Sequence, residues 1–311
     1  MSGEKSKSSG EYGEKIANEL LKLLGWENAL SGKDIPCVRK GHIGANGGSR
    51  NNHGVDYIVK YSCPLVLKTE SDILVSVKHR KDYPSTSKGK ISDFKEFLKD
   101  IAEATECYPS HELFRDKIPG TKSMNICNVI MWFSALQDEL CSGVIEDVAD
   151  FRNSDAVNYG TVYLLDNKKA TFLYSSIQHA RNKDDKFLYF YPDTGFNMDT
   201  MLRKHQGNIL PVQYINSPIQ LFKIIESTGE SLIITIEDEF NIDYFERLLQ
   251  FARLLTAGWA TKVFMAFPNY NDYSNSTSVK KSLGRLTDRK FAQKIIVESL
   301  NYTDFRNLGG I

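Results

Sequence analysis

The sequence predicts an α/β chain in two parts: a mixed sheet flanked by helices, then a second α/β region. Three observations carry that prediction. An amphipathic helix pattern opens the chain and is followed by consecutive stretches of strand alternation. A second helical stripe then leads into "NICNVIMWFSAL", an apolar run of strand length that calls for cover on both faces. In the second half, "SLIITIED", "NIDYFERLLQFARLLTAG" and "TKVFMAFPNY" form a strand, helix, strand series of the crossover type.

Taken in order, Ser8 and Glu11 have capping-box spacing, and Tyr12, Ile16, Leu20, Leu23 and Leu24 recur at helical intervals up to Gly25, predicting a helix over 9–24. "SGKDIPCVRKGHIGANGGSRNN" reads as connection, with a short strand around Ile35–Arg39. In "HGVDYIVKYS", Val55, Tyr57 and Val59 alternate with Asp56, Ile58 and Lys60, a half-buried strand. "PLVLK" and "DILVSVKHR", joined by Thr69, Glu70 and Ser71, read as a hairpin. After the loop "KDYPSTSKGK", Ile91, Phe94, Phe97 or Leu98, Ile101 and Ala102 share a helical stripe over 91–106.

"GTVYLLD" and "KFLYFYPD" read as strands flanking a helix around Leu173–Arg181, and a basic helix is expected from Ser278 to Leu300, broken at Gly284. A boundary is expected near 138–155, where strand character gives way to acid, dividing the chain into domains at 1–140 and 150–311.

Lysine plus arginine equals aspartate plus glutamate at 39 each, so no whole-molecule field draws the chain to a polyanion, and any basic surface is local. No apolar run approaches the roughly 18 residues of a membrane helix, and the polar start "MSGEKSKSSGEYGEK" is unlike a signal peptide, so a cytoplasmic protein is expected. Cys37, Cys63, Cys107, Cys127 and Cys141 contain no CxxC pair, which argues against a disulfide framework or zinc ribbon. His42, His111, His179 and His205 show no metal-ligand spacing, and no Walker, GxSxG or HExxH motif is present.

The residues that point to chemistry lie in "DILVSVKHRKD". Strand alternation puts Asp72, Ser76, Lys78 and Arg80 on one face and Ile73, Val75 and Val77 on the other. An ammonium in a sheet costs several kcal/mol to desolvate unless a counter-charge sits beside it. Asp56, on the preceding strand, is the candidate. A carboxylate beside a lysine at a sheet's lip can hold a divalent metal through oxygen while the lysine steadies a water, which is the equipment of phosphodiester hydrolysis.

This arrangement resembles the PD-(D/E)xK superfamily, the restriction-endonuclease-like fold, over about residues 9–137. Asp56 matches the family aspartate and Ser76-Val77-Lys78 the (D/E)xK, while Glu14 occupies the place of a first-helix glutamate. The texture is similar to the Mrr-like and junction-resolvase branches, whose lysine strand likewise runs on into basic residues, here His79, Arg80 and Lys81. The resemblance implies a magnesium-dependent DNA endonuclease, with manganese as a substitute. It also implies a bacterial or archaeal role in antiphage defence or restriction, and a partner protein such as a helicase or ATPase subunit, since the chain has no motor of its own. Restriction-type nucleases often work as dimers, so a homodimer is an option.

One departure matters, because Ser76 stands where the family has an acidic residue or glutamine. Three answers stay open: Glu14 and Asp56 with the Val77 carbonyl suffice for one metal, Asp72 or Glu70 compensates, or the chain is an inactive DNA-binding or assembly subunit. Taken singly, Lys78 also reads as a snorkelling edge lysine, Asp56 as a turn cap and Glu14 as a solvated helix residue; their order and element types together suggest a site. Arg80, Lys81, Lys88 and Lys90 would cradle the phosphate backbone, and Arg50 and His53, on the glycine-rich stretch 44–54, are further phosphate candidates. Lys280, Lys281, Arg285, Arg289, Lys290 and Lys294 read as a charged outer face or a duplex clamp, the outer face being favoured.

Overall fold

The computed structural model describes residues 2–44, 47–149, 151, 159–199, 201 and 204–310, with side chains from residue 10 onward. The chain divides into two compact units, Met1–Ala170 with Phe305–Ile311, and Thr171–Asp304. Both are α/β, each built on one mixed sheet with flanking helices.

In the first unit, α1 (Ser2–Leu23) buries Ile16, Leu20 and Leu24 just beyond its end, the stripe its spacing predicts, although it begins ahead of the predicted start at residue 9. Three antiparallel strands follow: β1 (Leu30–Pro36), β2 (Asn52–Ser62) and β3 (Thr69–Arg80). The crossover helix α2 (Ser87–Cys107), capped by the Thr86 hydroxyl accepting from the Gly89 amide, and the single turn α3 (Glu112–Arg115) lead to β4 (Ser123–Ser134), parallel to β3. The single turn α4 (Ile145–Val148) then precedes β5 (Thr161–Leu165), parallel to β4, so that the sheet order is β1-β2-β3-β4-β5. From Val129 to Phe133, β4 is wholly buried, as its unbroken apolar run requires.

The two long helices cover opposite faces of this sheet. α2 packs Phe97 and Ile101 with Ile58, Leu74, Ile130 and Trp132. α1 lies against the other face, where Gly13 meets His79; a Cβ there would collide with the histidine side chain. That close approach brings Glu14 near the lysine end of β3.

Several expectations are corrected. "PLVLK" is the turn between β2 and β3 rather than a strand, closed by the Cys63 amide donating to the Thr69 carbonyl at 2.8 Å, and Thr69–Ser71 belong to β3. Pro64 has no N–H for a ladder, whereas Glu70 and Asp72 find Lys60 across β2. β1 starts at Leu30 rather than near Ile35. The compact units divide after Ala170 rather than between 140 and 150, because β5 completes the first sheet. Residues 150 and 152–158, which overlap the end of the expected boundary, lie outside the described residues, as do 45 and 46 of the glycine-rich stretch.

The second unit begins at Thr171 within α5 (Asn167–Lys183), which precedes the short strands β6 (Leu188–Phe190) and β7 (Gln206–Gly207), then β8 (Ile219–Glu226) and β9 (Gly229–Ile236). α6 (Ile242–Thr256), capped by Asn241, crosses to β10 (Lys262–Phe267), and α7 (Asp272–Arg285) with the single turn α8 (Arg289–Ala292) leads to β11 (Ile295–Ser299). The order is β11-β10-β9-β8-β6-β7. The expected basic helix over 278–300 therefore ends early. "IIVES" is β-branched and pairs in parallel with β10, so its strand preference and the open sheet edge prevail. No helix among the described residues is long and apolar enough to cross a membrane.

Candidate active site

The site grows from a divergence of two strands. β2 and β3 pair from Ser62↔Glu70 to Tyr57↔Val75 and no further, while β3 continues beside β4 as far as Arg80↔Ser134 and β2 turns to β1. Beyond Val75 the β2 side of β3 is therefore an open fork. Asp56 stands in it. Its Oδ2 accepts the Val77 amide at 2.6 Å in place of the missing ladder bond. Burial pushes the Asp56 carboxyl up, opposed by the Val77 amide, the Lys78 charge and the Ser76 hydroxyl.

Lys78 answers the question its position raises. It is half-buried, with Nζ 5.2 Å from the centroid of the Phe97 ring, and among the described residues it has no ion pair. The aromatic face offsets part of the cost of desolvating the ammonium, and the Asp56 charge offsets more.

Asp56, Ser76 and Lys78 open on a cleft of about 280 Å³, whose other walls include Asp34, Arg50 and Asp100. Asp34 is a residue the sequence reading missed. It pairs with Gly54 across β1 and β2, so it shares a face with Asp56 as a diagonal neighbour, a relation that spans about 7–8 Å. It is exposed and has no ion pair among the described residues. No local pattern marks it, because its meaning comes from the register of the hairpin.

Glu14 is exposed on α1; burial raises its carboxyl, and Asp56 and then Glu11 raise it further, so it is electrostatically coupled to the fork although it does not line the cleft. Tyr57, donating to the Glu14 carbonyl at 2.9 Å, ties α1 to β2 at this level.

Other candidates stand elsewhere or are already engaged. Glu70 and Asp72 do not compensate for Ser76. Both are fully buried around Lys60, at 2.8 and 3.7 Å, with Tyr108 donating to Asp72 at 2.8 Å and the Ile118 amide to Glu70 at 2.6 Å. Asp72 is also about 13 Å along the strand from Ser76. His53 is corrected as a phosphate contact: it is wholly buried, and burial, then the Arg50 charge, pushes it down to about 4, so the ring is neutral. Arg50 reaches the cleft, yet its guanidinium is engaged by Glu103 at 3.0 Å and Asp100 at 3.2 Å. Arg80 is paired with Asp93 and Lys90 with Asp147, each at 2.7 Å, while Lys81 and Lys88 stand exposed.

The fork offers hard oxygen donors, and no sulfur or imidazole lines the cleft among the described residues, which fits a hard divalent cation. Asp56 and Asp34 line the cleft and Glu14 is coupled to Asp56 electrostatically, so these carboxylates are the groups that could hold such an ion.

No curated protein and no solved structure gives a significant match to the chain. A family model does, the GAPS4 protein PD-(D/E)XK nuclease domain, over residues 1–169. With that match covering more than half of its length, the chain belongs to this family of PD-(D/E)XK nucleases.

Proposed function

We propose that the chain is a magnesium-dependent DNA endonuclease of the Mrr-like branch, with manganese as a substitute, acting in a bacterial or archaeal antiphage or restriction system in the cytoplasm. One observation carries the reading: Asp56 is pinned by the Val77 amide in an open fork beside Lys78, a lysine without an ion pair among the described residues. Asp56 is the anchoring metal ligand, and Glu14 and the Val77 carbonyl are its partners. Asp34 answers for the acid that Ser76 lacks. A magnesium ion held there would neutralise phosphate charge and acidify water. Lys78 orients the attacking water and faces the developing negative charge, and the Ser76 hydroxyl holds Asp56 in place. Lys81 and Lys88 track the phosphate backbone. The second unit binds substrate or a partner protein, such as a helicase or ATPase subunit, and a homodimer would allow both strands to be cut.

Incubating the full chain with plasmid and magnesium, beside an Asp56→Asn control, tests this: cleavage by the native chain alone supports it, and equal inertness overturns it. A second reading, DNA binding without cleavage, is favoured by Ser76 and by the engaged guanidinium of Arg50. Ser76→Glu separates the two, since activity gained from nothing would mean that the serine had silenced the site, whereas a modest change in an active enzyme would mean that it had not.

A further inference from the structure

Around the Pro36↔Asn52 end of the β1–β2 ladder, four side chains from distant parts of the chain converge. Cys37 follows the last residue of β1, His42 lies in the next loop, His53 is on β2 opposite Ile35, and Cys107 ends α2. We propose that Cys37, His42, His53 and Cys107 form a structural zinc site that staples the β1–β2 loop to the end of α2.

The ligand atoms all lie within 4.8 Å of one another. His42 Nδ1 is 3.4 Å from Cys37 Sγ, 3.2 Å from His53 Nε2 and 3.6 Å from Cys107 Sγ. Tetrahedral zinc, with bonds of about 2.3 Å to sulfur and about 2.0–2.1 Å to nitrogen, has edges of about 3.5 Å between sulfur and nitrogen and about 3.3 Å between nitrogens. The three distances match the three edges of that tetrahedron that meet at His42 Nδ1. Hydrogen bonding does not account for them. One ring nitrogen carries either one proton or one lone pair, so it serves one neighbour and not three.

The surroundings are those of a closed site. His42, His53 and Cys107 are buried, both cysteines are free thiols, and the ligand set leaves no position for substrate. His42 turns its other nitrogen, Nε2, to Glu106 Oε2 at 3.4 Å, the carboxylate support that metal-bound imidazoles commonly receive. His53 Nδ1 has no partner among the described residues, so the cluster alone orients that ring. The loop from residue 37 to 52 is rich in glycine and asparagine and poor in apolar residues, so a bound metal supplies the cross-link that its own packing does not. The spacing, C-x4-H, then ten residues to His53 and fifty-three more to Cys107, contains no CxxC or HxxxH signal.

The test uses the full-length chain, purified without chelator. Elemental analysis should find about one zinc per chain, and cobalt exchanged into the native protein should show the visible bands of a tetrahedral site together with thiolate-to-metal charge transfer. Cys107→Ser and His53→Ala should lose the metal, while Asp56→Asn should keep it. Native protein that neither carries zinc nor takes it up when incubated with it overturns the proposal, as does an octahedral cobalt spectrum or zinc retained by Cys107→Ser. The cobalt spectrum needs no variant to fold, so it decides the matter even if the substitutions unfold the chain.

Discussion

The first and second units run through the same succession of elements. In one, a helix leads to three successive antiparallel strands, a crossover helix, a parallel strand, a short helix and a last parallel strand, ordered β1-β2-β3-β4-β5. In the other, α5 leads to β6, β8 and β9, then α6, β10, α7 with α8, and β11, ordered β11-β10-β9-β8-β6, with the two-residue β7 added at the edge. They differ at the fork. The β8–β9 ladder reaches Ile219↔Ile236 and goes one step further, the Glu237 amide donating to the Pro218 carbonyl at 2.9 Å. In the first unit the ladder stops at Tyr57↔Val75, and the Asp56 carboxylate takes the Val77 amide instead. Counted from those last pairs, Pro218 stands where Asp56 stands and Glu239 where Lys78 stands. The same layout therefore folds with or without such a fork, and on the reading proposed above chemistry depends on where one ladder opens and which charges flank the opening.

The sharpest way to break this comparison is to treat both forks alike. Asp56→Asn and Lys78→Ala should each lower plasmid cleavage by about 10³-fold, while Pro218→Ala and Glu239→Gln leave it unchanged. Comparable losses from the second pair would place chemistry in the wrong unit. Asp34→Asn should cost about 10- to 100-fold and raise the magnesium needed for half-maximal rate. A titration of rate against metal concentration reads both effects.

A further difference lies in the core. β3 buries Glu70 and Asp72 beside Lys60, and β9 has no such fully buried carboxylate. Burial, opposed by the Tyr108 hydrogen bond and Lys60 and helped by Glu70, pushes Asp72 up to about 7. Burial would also raise Glu70, but Lys60 and the Ile118 amide outweigh it and hold it low. Between the ordinary aspartate value of about 3.9 and the folded value, the native chain holds a proton at Asp72 that the unfolded chain has released. The Asp72 contribution is thus fully present in acid and lost as pH rises towards neutrality. Urea midpoints from about pH 4 to about pH 8 should fall less with pH in Asp72→Asn than in the native chain, and parallel curves would remove Asp72 from the account.

The smallest effect concerns charge. Lys81→Gln and Lys88→Gln should each reduce the salt dependence of DNA binding by about one counterion, uniformly across sequences. Lys280→Gln and Lys281→Gln in the second unit should leave the slope unchanged.

Much of the first unit was legible from local pattern. Alternation around Asp56 and Lys78, the stripe of α1 and the apolar run of β4 each report an element through its own period. The second unit was less legible: local pattern leaves "IQLFKIIE" unmarked and runs "IIVES" on from a helix. Their strand state is settled by neighbours in the sheet, and short segments carry little periodicity of their own.

By itself, then, the sequence determined the opening helix, the crossover helix, the buried strand after it and the placing of an aspartate and a lysine on successive strands, because side-chain period and chain order are local properties. Only the tertiary structure decided that the β2–β3 ladder opens beyond Val75, that Asp34 faces the same cleft, that Glu70 and Asp72 serve Lys60, and that Cys37, His42, His53 and Cys107 meet. Each of these depends on register or on contact between residues far apart in the chain, and spacing along the sequence carries no trace of such distances.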